Sequence, residues 1–348
     1  MAYSSIIKPS DYFNTKLYTG TDNSNAITGV GFQPDFTWLK KRSSTASHAL
    51  QDAVRGNDKT VRSNSYNAQY TNSFFSSFNS DGFTVATSES DVNTSGSTYT
   101  SWNWKANGQG SANTSGSINT TYTSANTTSG FSICKWIGTQ SVGTVAHGLG
   151  TVPKMYFVKN LDSTDSWNVF ANTGYMDANY RLLLDTTGGR ISDSDAWNSQ
   201  NPTSSFFTVG TNTGTNKSGS NMIAYIFSEI KGFSKISEYR GNGNADGSFI
   251  FCGFKPAWIL FKKTNGSGDN WFIFDNKRAG YNVDNDYLHP DTTGAEGTSN
   301  YLDIVSNGFK LRTSGSDLNG DGDIYTYLAF AENPFVANAG ESLPTTAR

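Results

Sequence analysis

The sequence predicts an all-β protein built from three related β-sandwich or jelly-roll-like repeats, and three observations carry that prediction. A proline, a short apolar run and a lysine six places on occur together three times, as Pro34–Lys40, Pro153–Lys159 and Pro256–Lys262. A glycine turn that opens an apolar strand follows each, at Gly96, Gly219 and Gly322, at intervals of 62, 66 and 66 residues. Self-similarity at a nearly fixed period marks repeated units. Finally, Phe249–Cys252, Trp258–Phe261, Trp271–Phe274 and Met222–Phe227 are short continuous apolar runs bounded by turn residues, as strands buried on both faces are. Many short strands with turn signals and no long amphipathic segment point to sandwiches or jelly rolls.

Residues 1–11 read as an N-terminal arm, and the first repeat spans 12–106. It opens with an aromatic strand from Tyr12-Phe13 to Gly20 and continues through the Pro34 strand. His48–Arg55 resembles a helix locally, but its alignment with the β-rich Trp271–Arg278 predicts a strand. Within it Asp52-x-x-Arg55 matches Asp275-x-x-Arg278, whereas the middle copy holds Ala171 and Gly174. Such a pair braces a corner between strands, at ~0–1 kcal/mol if it lies on the surface. An Asp81-Gly82 turn feeds Phe83–Val85, and the repeat closes on Trp104.

Residues 107–129 are almost wholly Gly, Ser, Thr, Asn and Ala, a composition expected of a flexible or lightly ordered connector. The second repeat, 130–231, opens at Gly130-Phe131, carries Ser205-Phe206-Phe207 where the other copies have a glycine turn, and closes on Phe227. Only Glu229-Ile230-Lys231 separates it from the third, 232–335, so these two are expected to pack together. The third opens at Gly232-Phe233, repeats the turn at Asn307-Gly308 and closes on Phe330. Residues 336–348 read as a C-terminal tail, and both terminal segments are expected to order on contact with neighbours.

Composition narrows the function classes. Charged residues make up 16% against the roughly 25% of average globular proteins, while aromatics reach 14%, which excludes disorder. A net charge of −3 with scattered Lys and Arg gives no footprint for nucleic acid. No apolar run reaches the 18 or so residues that would span a bilayer, and the first residues lack the pattern of a signal peptide. Cys134 and Cys252 both sit in apolar strand patterns and read as buried thiols.

Candidate chemistry is sparse. Asp317-Leu318-Asn319-Gly320-Asp321-Gly322-Asp323 matches the first half of a calcium loop, yet Leu328 stands where a bidentate Glu is required. The other copies carry Ser95 and Ser97, or Ser218 and Ser220, at the positions of Asp321 and Asp323, so the shared requirement is a turn and no metal site is assigned. His48, His147 and His289 show no ligand spacing, and no nucleophile elbow is present. A glycosidase needs two well-placed carboxylates; the close pairs Asp193 with Asp195 and Asp284 with Asp286 are candidates, and they read as solvated turn acids. Trp38, Trp102, Trp104, Trp136, Trp258 and Trp271 fall at repeat landmarks and read as core. Trp197 and Tyr281 fall outside that register and are the candidate surface-binding residues.

Val30–Lys40, Tyr239–Gly243, Cys252–Trp258, Ser306–Leu311 and Ala329–Pro334 together cover residues 12–335. In this combination the chain resembles the repeat-built β domains of unassigned biochemical role found in tail and tail-fibre proteins of marine bacteriophages. The resemblance implies a structural virion protein without catalytic residues or cofactors. It would be assembled in the host cytoplasm, released by lysis, and contact other virion proteins and a host-surface glycan or receptor. Exposed edge strands lead us to expect a homo-oligomer, with a trimer as one form. The alternatives are a head-fibre or capsid decoration protein and a glycan-binding or glycan-cleaving tailspike.

Overall fold

The computed structural model describes residues 4–86, 89–266, 268–278, 282 and 284–334. It is almost all β, with two single-turn helices, and no described helix is long and apolar enough to cross a membrane. In the first unit the strands are β1 (Phe13–Thr19), β2 (Asn25–Thr28), β3 (Phe36–Lys41), β4 (Ala49–Asp52), β5 (Gly56–Val61), β6 (Tyr70–Thr71), β7 (Phe75–Asn79), β8 (Gly82–Val85) and β9 (Thr98–Trp104). β10 (Thr120–Asn126) follows alone. The second unit holds β11 (Phe131–Ile137), β12 (Gly143–Ala146), β13 (Pro153–Asn160), β14 (Asn168–Ala171), β15 (Tyr180–Leu183), β16 (Ile191–Ser192), β17 (Phe206–Val209) and β18 (Asn221–Ser228). In the third they are β19 (Ser234–Arg240), β20 (Phe249–Phe251), β21 (Phe254–Lys263), β22 (Phe272–Asp275), β23 (Asp284–Tyr287), β24 (Gly297–Val305), β25 (Gly308–Leu311) and β26 (Ile324–Pro334).

The repeat is real at the level of topology. Each unit has a large antiparallel sheet whose strands run in the order first, last, Pro-landmark, next: β1-β9-β3-β4, β11-β18-β13-β14 and β19-β26-β21-β22. Across from it lies a small sheet, β2-β8-β7, β12-β17 or β20-β25-β24-β23. The first strand ends at Gly20, Gly138 or Gly241 because the chain passes very close to a neighbouring turn there. A Cβ at these positions would lie 2.2 Å from the carbonyl oxygen of Thr94, Lys217 or Gly320.

The units do not sit as separate domains. Each encloses an apolar core of its own between large and small sheets, and the other face of every large sheet joins one common core. That two-sided burial is why the large-sheet strands read as continuous apolar runs. The residues that close each repeat meet in the common core: the Trp104, Phe227 and Phe330 rings lie 5.8, 5.9 and 6.3 Å apart, pair by pair. Edge-to-face pairs of this kind add ~0.5–1.5 kcal/mol each beyond the area they bury. The three units are thus related by pseudo-threefold symmetry inside one chain.

Two expectations for the connecting segments change. Residues 107–129 are not a loose connector: β10 pairs in register with β11 and extends the second large sheet. The N-terminal arm is packed on the body from Ser4 onward, with Ile6 buried in the common core. The C-terminal tail, 336–348, lies outside the described residues.

Candidate functional site

The repeat landmarks are interface devices. The lysine of each landmark, Lys40, Lys159 and Lys262, is buried and reaches into the next unit, donating to the carbonyl oxygens of Thr293 (3.4 Å), Tyr66 (2.9 Å) and Thr187 (3.0 Å) respectively. Burial pushes each of these ammonium groups down to about 8. Beside them, Trp167 Nε1 donates to Arg62 O at 2.8 Å and Trp271 Nε1 to Leu183 O at 2.9 Å. His48 occupies the equivalent place in the first unit. Its Nδ1 accepts from Trp38 Nε1 at 2.8 Å, so its Nε2 carries the proton and donates to His289 O at 3.0 Å. Every contact runs in the same cyclic order, unit 1 onto 3, 3 onto 2, and 2 onto 1.

The Asp-x-x-Arg corners complete this scheme and are not on the surface. Asp52–Arg55 and Asp275–Arg278 are both buried ion pairs. Each takes a donor from the closing strand of a neighbouring unit: Tyr225 Oη donates to Asp52 at 2.7 Å, and Trp102 Nε1 to Asp275 at 2.9 Å. At the third interface the corner holds Ala171 and Gly174, and the position matching Trp102 and Tyr225 is Leu328. Ala171 and Leu328 both lie in the common apolar core. This interface has therefore changed on both of its sides at once, in the corner of the second unit and in the closing strand of the third.

Among the described residues, none of the remaining chemical candidates assembles into a site. Trp197, expected at the surface, is fully buried: its ring stands edge-on to Tyr156 and its Nε1 donates to Tyr180 O at 3.1 Å. Polar sequence neighbours hid its anchoring role. Tyr281 lies outside the described residues. Asp193 caps a helical turn by accepting from Asp195 N and Ala196 N, and is ion-paired with Arg181 at 2.5 Å, while Asp195 points to solvent. Asp286 accepts from Thr298 Oγ1, and the Asp284 side chain lies outside the described residues. Burial lowers all three histidines below their ordinary value.

The calcium-like loop resolves into a structural asparagine. Asn319 is buried, accepts from Asn242 N at 3.0 Å, and donates to Asn244 O at 2.8 Å and Thr313 O at 2.7 Å. Asn216 and Asn93 do the same work in their units, accepting from Thr139 N and Thr21 N at 3.0 Å each. Asp323 is ion-paired with Lys263 at 2.9 Å. Among the described residues no group of three His, Cys, Asp or Glu is disposed to hold a metal ion. An Asn three places before the landmark glycine in every copy was the readable signal.

What the structure does present is a set of three equivalent lateral grooves. One side of each sandwich is left open between the edge of the large sheet and the edge of the small one, at β1 with β2, β11 with β12, and β19 with β20. In the second unit the groove is filled by residues 107–126. β10 covers the edge of β11, and Ile118 N–H donates to Thr144 O at 3.0 Å in a parallel bridge with Val145. Thr144 N–H in turn donates to Ser117 Oγ at 2.8 Å, and the Ile118 side chain enters the second unit's own core. In the first unit the groove encloses about 370 Å³ and is lined by Asn14, Thr15, Lys16, Leu17, Gly29 and Lys277.

The third unit's groove is of mixed character and more apolar than that of the first. It encloses about 290 Å³, with Phe251, Cys252, Ser234 and Lys235 in its wall. Ile250 faces Phe309 as Val145 faces Phe207, which places Phe249 and Phe251 where the filled groove has Thr144 and Ala146. Phe249 is 48% exposed and Phe251 57%, whereas Ala146 under the filling segment is 2% exposed. The Glu229 carboxylate at its rim is held below its ordinary value: burial opposes this, but ion pairs with Lys235 and Lys154 prevail. Burial pushes the Cys252 thiol up to about 12, which makes it inert.

The model of a domain family of unknown function, DUF7483, matches residues 8–334. The chain belongs to this family. The match runs from the packed N-terminal segment through the last strand of the third unit and so takes in all three units. No curated protein matches the chain significantly.

Proposed function

We propose that this member of the DUF7483 family is a non-enzymatic structural component of a bacteriophage virion, carried on the tail or a tail fibre and placed to contact the host surface. The observation that carries this reading is the use made of the buried polar groups. The three landmark lysines, both buried Asp–Arg pairs and His48 hold the units against one another around a shared core. The described residues thus form a rigid, charge-poor β body whose open features are sheet edges rather than an assembled reactive group. Such a body suits attachment to other virion proteins by strand addition, and the resemblance to marine phage tail domains supports that position. Further copies of the chain, with a trimer among the forms, and a host glycan or receptor are the partners this reading names.

Immunogold labelling of intact virions with an antibody against this chain tests it. Gold at the tail or its fibres is the expected result. Gold over the head moves the protein to capsid decoration, and virions without label end the structural reading. Release of reducing ends from host polysaccharide by the purified chain would replace it with a glycan-cleaving tailspike.

A further inference from the structure

We infer that the cleft between β1 and the corner of the third unit binds a small carboxylate that carries neighbouring hydroxyl groups, a sugar acid in type. The junction of the second unit with the third supplies the template. There Glu238 of β19 reaches across the boundary, and its carboxylate accepts from Thr173 Oγ1 at 3.1 Å and Tyr175 N at 2.8 Å. Register makes Leu17 the counterpart of Glu238, since they stand opposite the matching closing-strand residues Thr100 and Thr326. Lys277 is the counterpart of Thr173, two places beyond Asp275 as Thr173 is two beyond Ala171. Where one junction holds a carboxylate of its own, the junction of the third unit with the first has a leucine and an exposed ammonium lining a cleft of about 370 Å³. That volume falls in the range of small-molecule sites, ~300–1,000 Å³.

The floor of the cleft is built from polar groups that the protein leaves unused. Thr15 and Asn276 are 5% and 7% exposed, yet Thr15 Oγ1 and both Asn276 side-chain atoms, Oδ1 and Nδ2, have no hydrogen-bond partner. Both residues line a recess of about 50 Å³ that shares Asn14, Thr15 and Lys277 with the cleft. Buried amides and hydroxyls are normally paired, and a ligand hydroxyl, which donates and accepts, satisfies both. Charge comes from Lys277 and Lys16 in the cleft wall. Lys16 also acts on Asp81, whose carboxylate is held by Gly29 N and Gly31 N at 2.9 and 2.6 Å. Glu332 in the recess is ion-paired with Lys255 at 2.5 Å.

The remaining junction uses its matching positions differently. Val54, the counterpart of Lys277, is buried in the common core, and Lys135, the counterpart of Leu17, is paired with Tyr122 of β10. Ordered water in the recess would satisfy the buried atoms, but it gives no account of a carboxylate exchanged for a leucine beside a lysine. The site is read from the junction alone and stands wherever the protein resides. Only the step from a sugar acid to a residue of a host glycan rests on the virion reading.

The test follows the backbone amide signals of the full chain during titration with glucuronate, glucose and acetate. Glucuronate is expected to shift residues 14–17 and Lys277 saturably, and to bind about tenfold more tightly than either of the others. Leu17→Glu/Lys277→Thr, which installs the pair found as Glu238 and Thr173, is expected to abolish that binding while signals elsewhere stay native. Lys277→Met changes one exposed side chain, serves if the double variant does not fold, and should weaken binding about tenfold. An oligouronate that binds more tightly than the monomer marks a glycan as the source, and equal affinity marks a free acid; both support the site. No saturable shift, glucose or acetate binding as tightly as glucuronate, or undiminished binding by Lys277→Met overturns the inference.

Discussion

Asp52 and Asp275 are buried carboxylates whose Oδ2 accepts from the arginine of its own pair and also from one donor across a unit boundary. Removing one member of such a group strands the others, at about 3–5 kcal/mol. Asp52→Ala is therefore expected to destabilise the chain by that much in urea unfolding. Adding Arg55→Gly and Tyr225→Leu, which reproduces the set Ala171, Gly174 and Leu328, should restore most of the loss. A triple variant no more stable than Asp52→Ala would show that the third interface is not the apolar counterpart of the other two. The lysines give a pH signature. Their folded value of about 8 lies below that of an unfolded lysine, about 10.4. Between those limits the unfolded chain keeps lysine protons that the folded chain has released, so the lysines' own contribution to stability rises with pH, while buried Cys134, Cys252 and the buried tyrosines, whose values are raised, act in the opposite sense. Urea unfolding at pH 8, 9 and 10 should show the native chain gaining stability relative to Lys159→Met as pH rises, because the other titrating groups are common to both. An unchanged slope in Lys159→Met would mean that the lysine keeps its ordinary affinity for the proton. Asp-x-x-Arg and the landmark lysines were visible in the sequence as repeated residues. Their burial was not, because a charged residue at a repeat position reads the same whether it faces water or a neighbouring unit.

Among elements, β10 and the segment before it depart furthest from expectation. Thr120, Thr123 and Ser124 bury hydroxyls that bond within the segment and to its surroundings, as in Asn107 N–H to Ser124 Oγ at 2.9 Å. A strand held by backbone pairing and hydroxyls carries no apolar alternation, so composition alone reads as a linker. Its large apolar anchors are Tyr122, half-buried against the common core, and Ile118, which packs over Gly143 so closely that a Cβ there would lie 2.6 Å from the Ile118 side chain. Ile118→Ala should cost about 2–5 kcal/mol, the range for truncating a buried isoleucine. The loss is expected to appear first as local opening, with amide exchange at Ile118 quickening while β13 and β18 stay protected. Uniform quickening across the second unit would instead make the segment part of its cooperative core. The strands themselves were legible in outline, including His48–Arg55, because runs such as Trp258–Phe261 are apolar on both faces. The same property concealed their second partner, since a run buried on both sides does not say whether the far side is a small sheet or another unit.

At the scale of the whole molecule the common core decides how the protein unfolds. Trp38, Trp102 and Trp104 of the first unit, Trp167, Tyr225 and Phe227 of the second, and Trp258, Trp271 and Phe330 of the third all belong to it. A unit taken alone would expose its share of that core together with Lys40, Lys159 or Lys262, whose hydrogen-bond acceptors lie partly in another unit. The three-part reading of the sequence was correct about repetition, and the sequence contained nothing to exclude independent sandwiches. The interval between landmarks records an ancestral unit but not how copies dock. One cooperative transition is therefore expected on heating or in urea, with fluorescence from the core tryptophans and far-ultraviolet dichroism changing together. Residues 130–231 expressed alone should remain unfolded or associate, because the exposed half-core resembles an obligate interface cut open. Three resolved transitions, or a monomeric and cooperatively folded second unit, would mean that each sandwich is stable on its own core and that the shared aromatic centre contributes little to holding the body together.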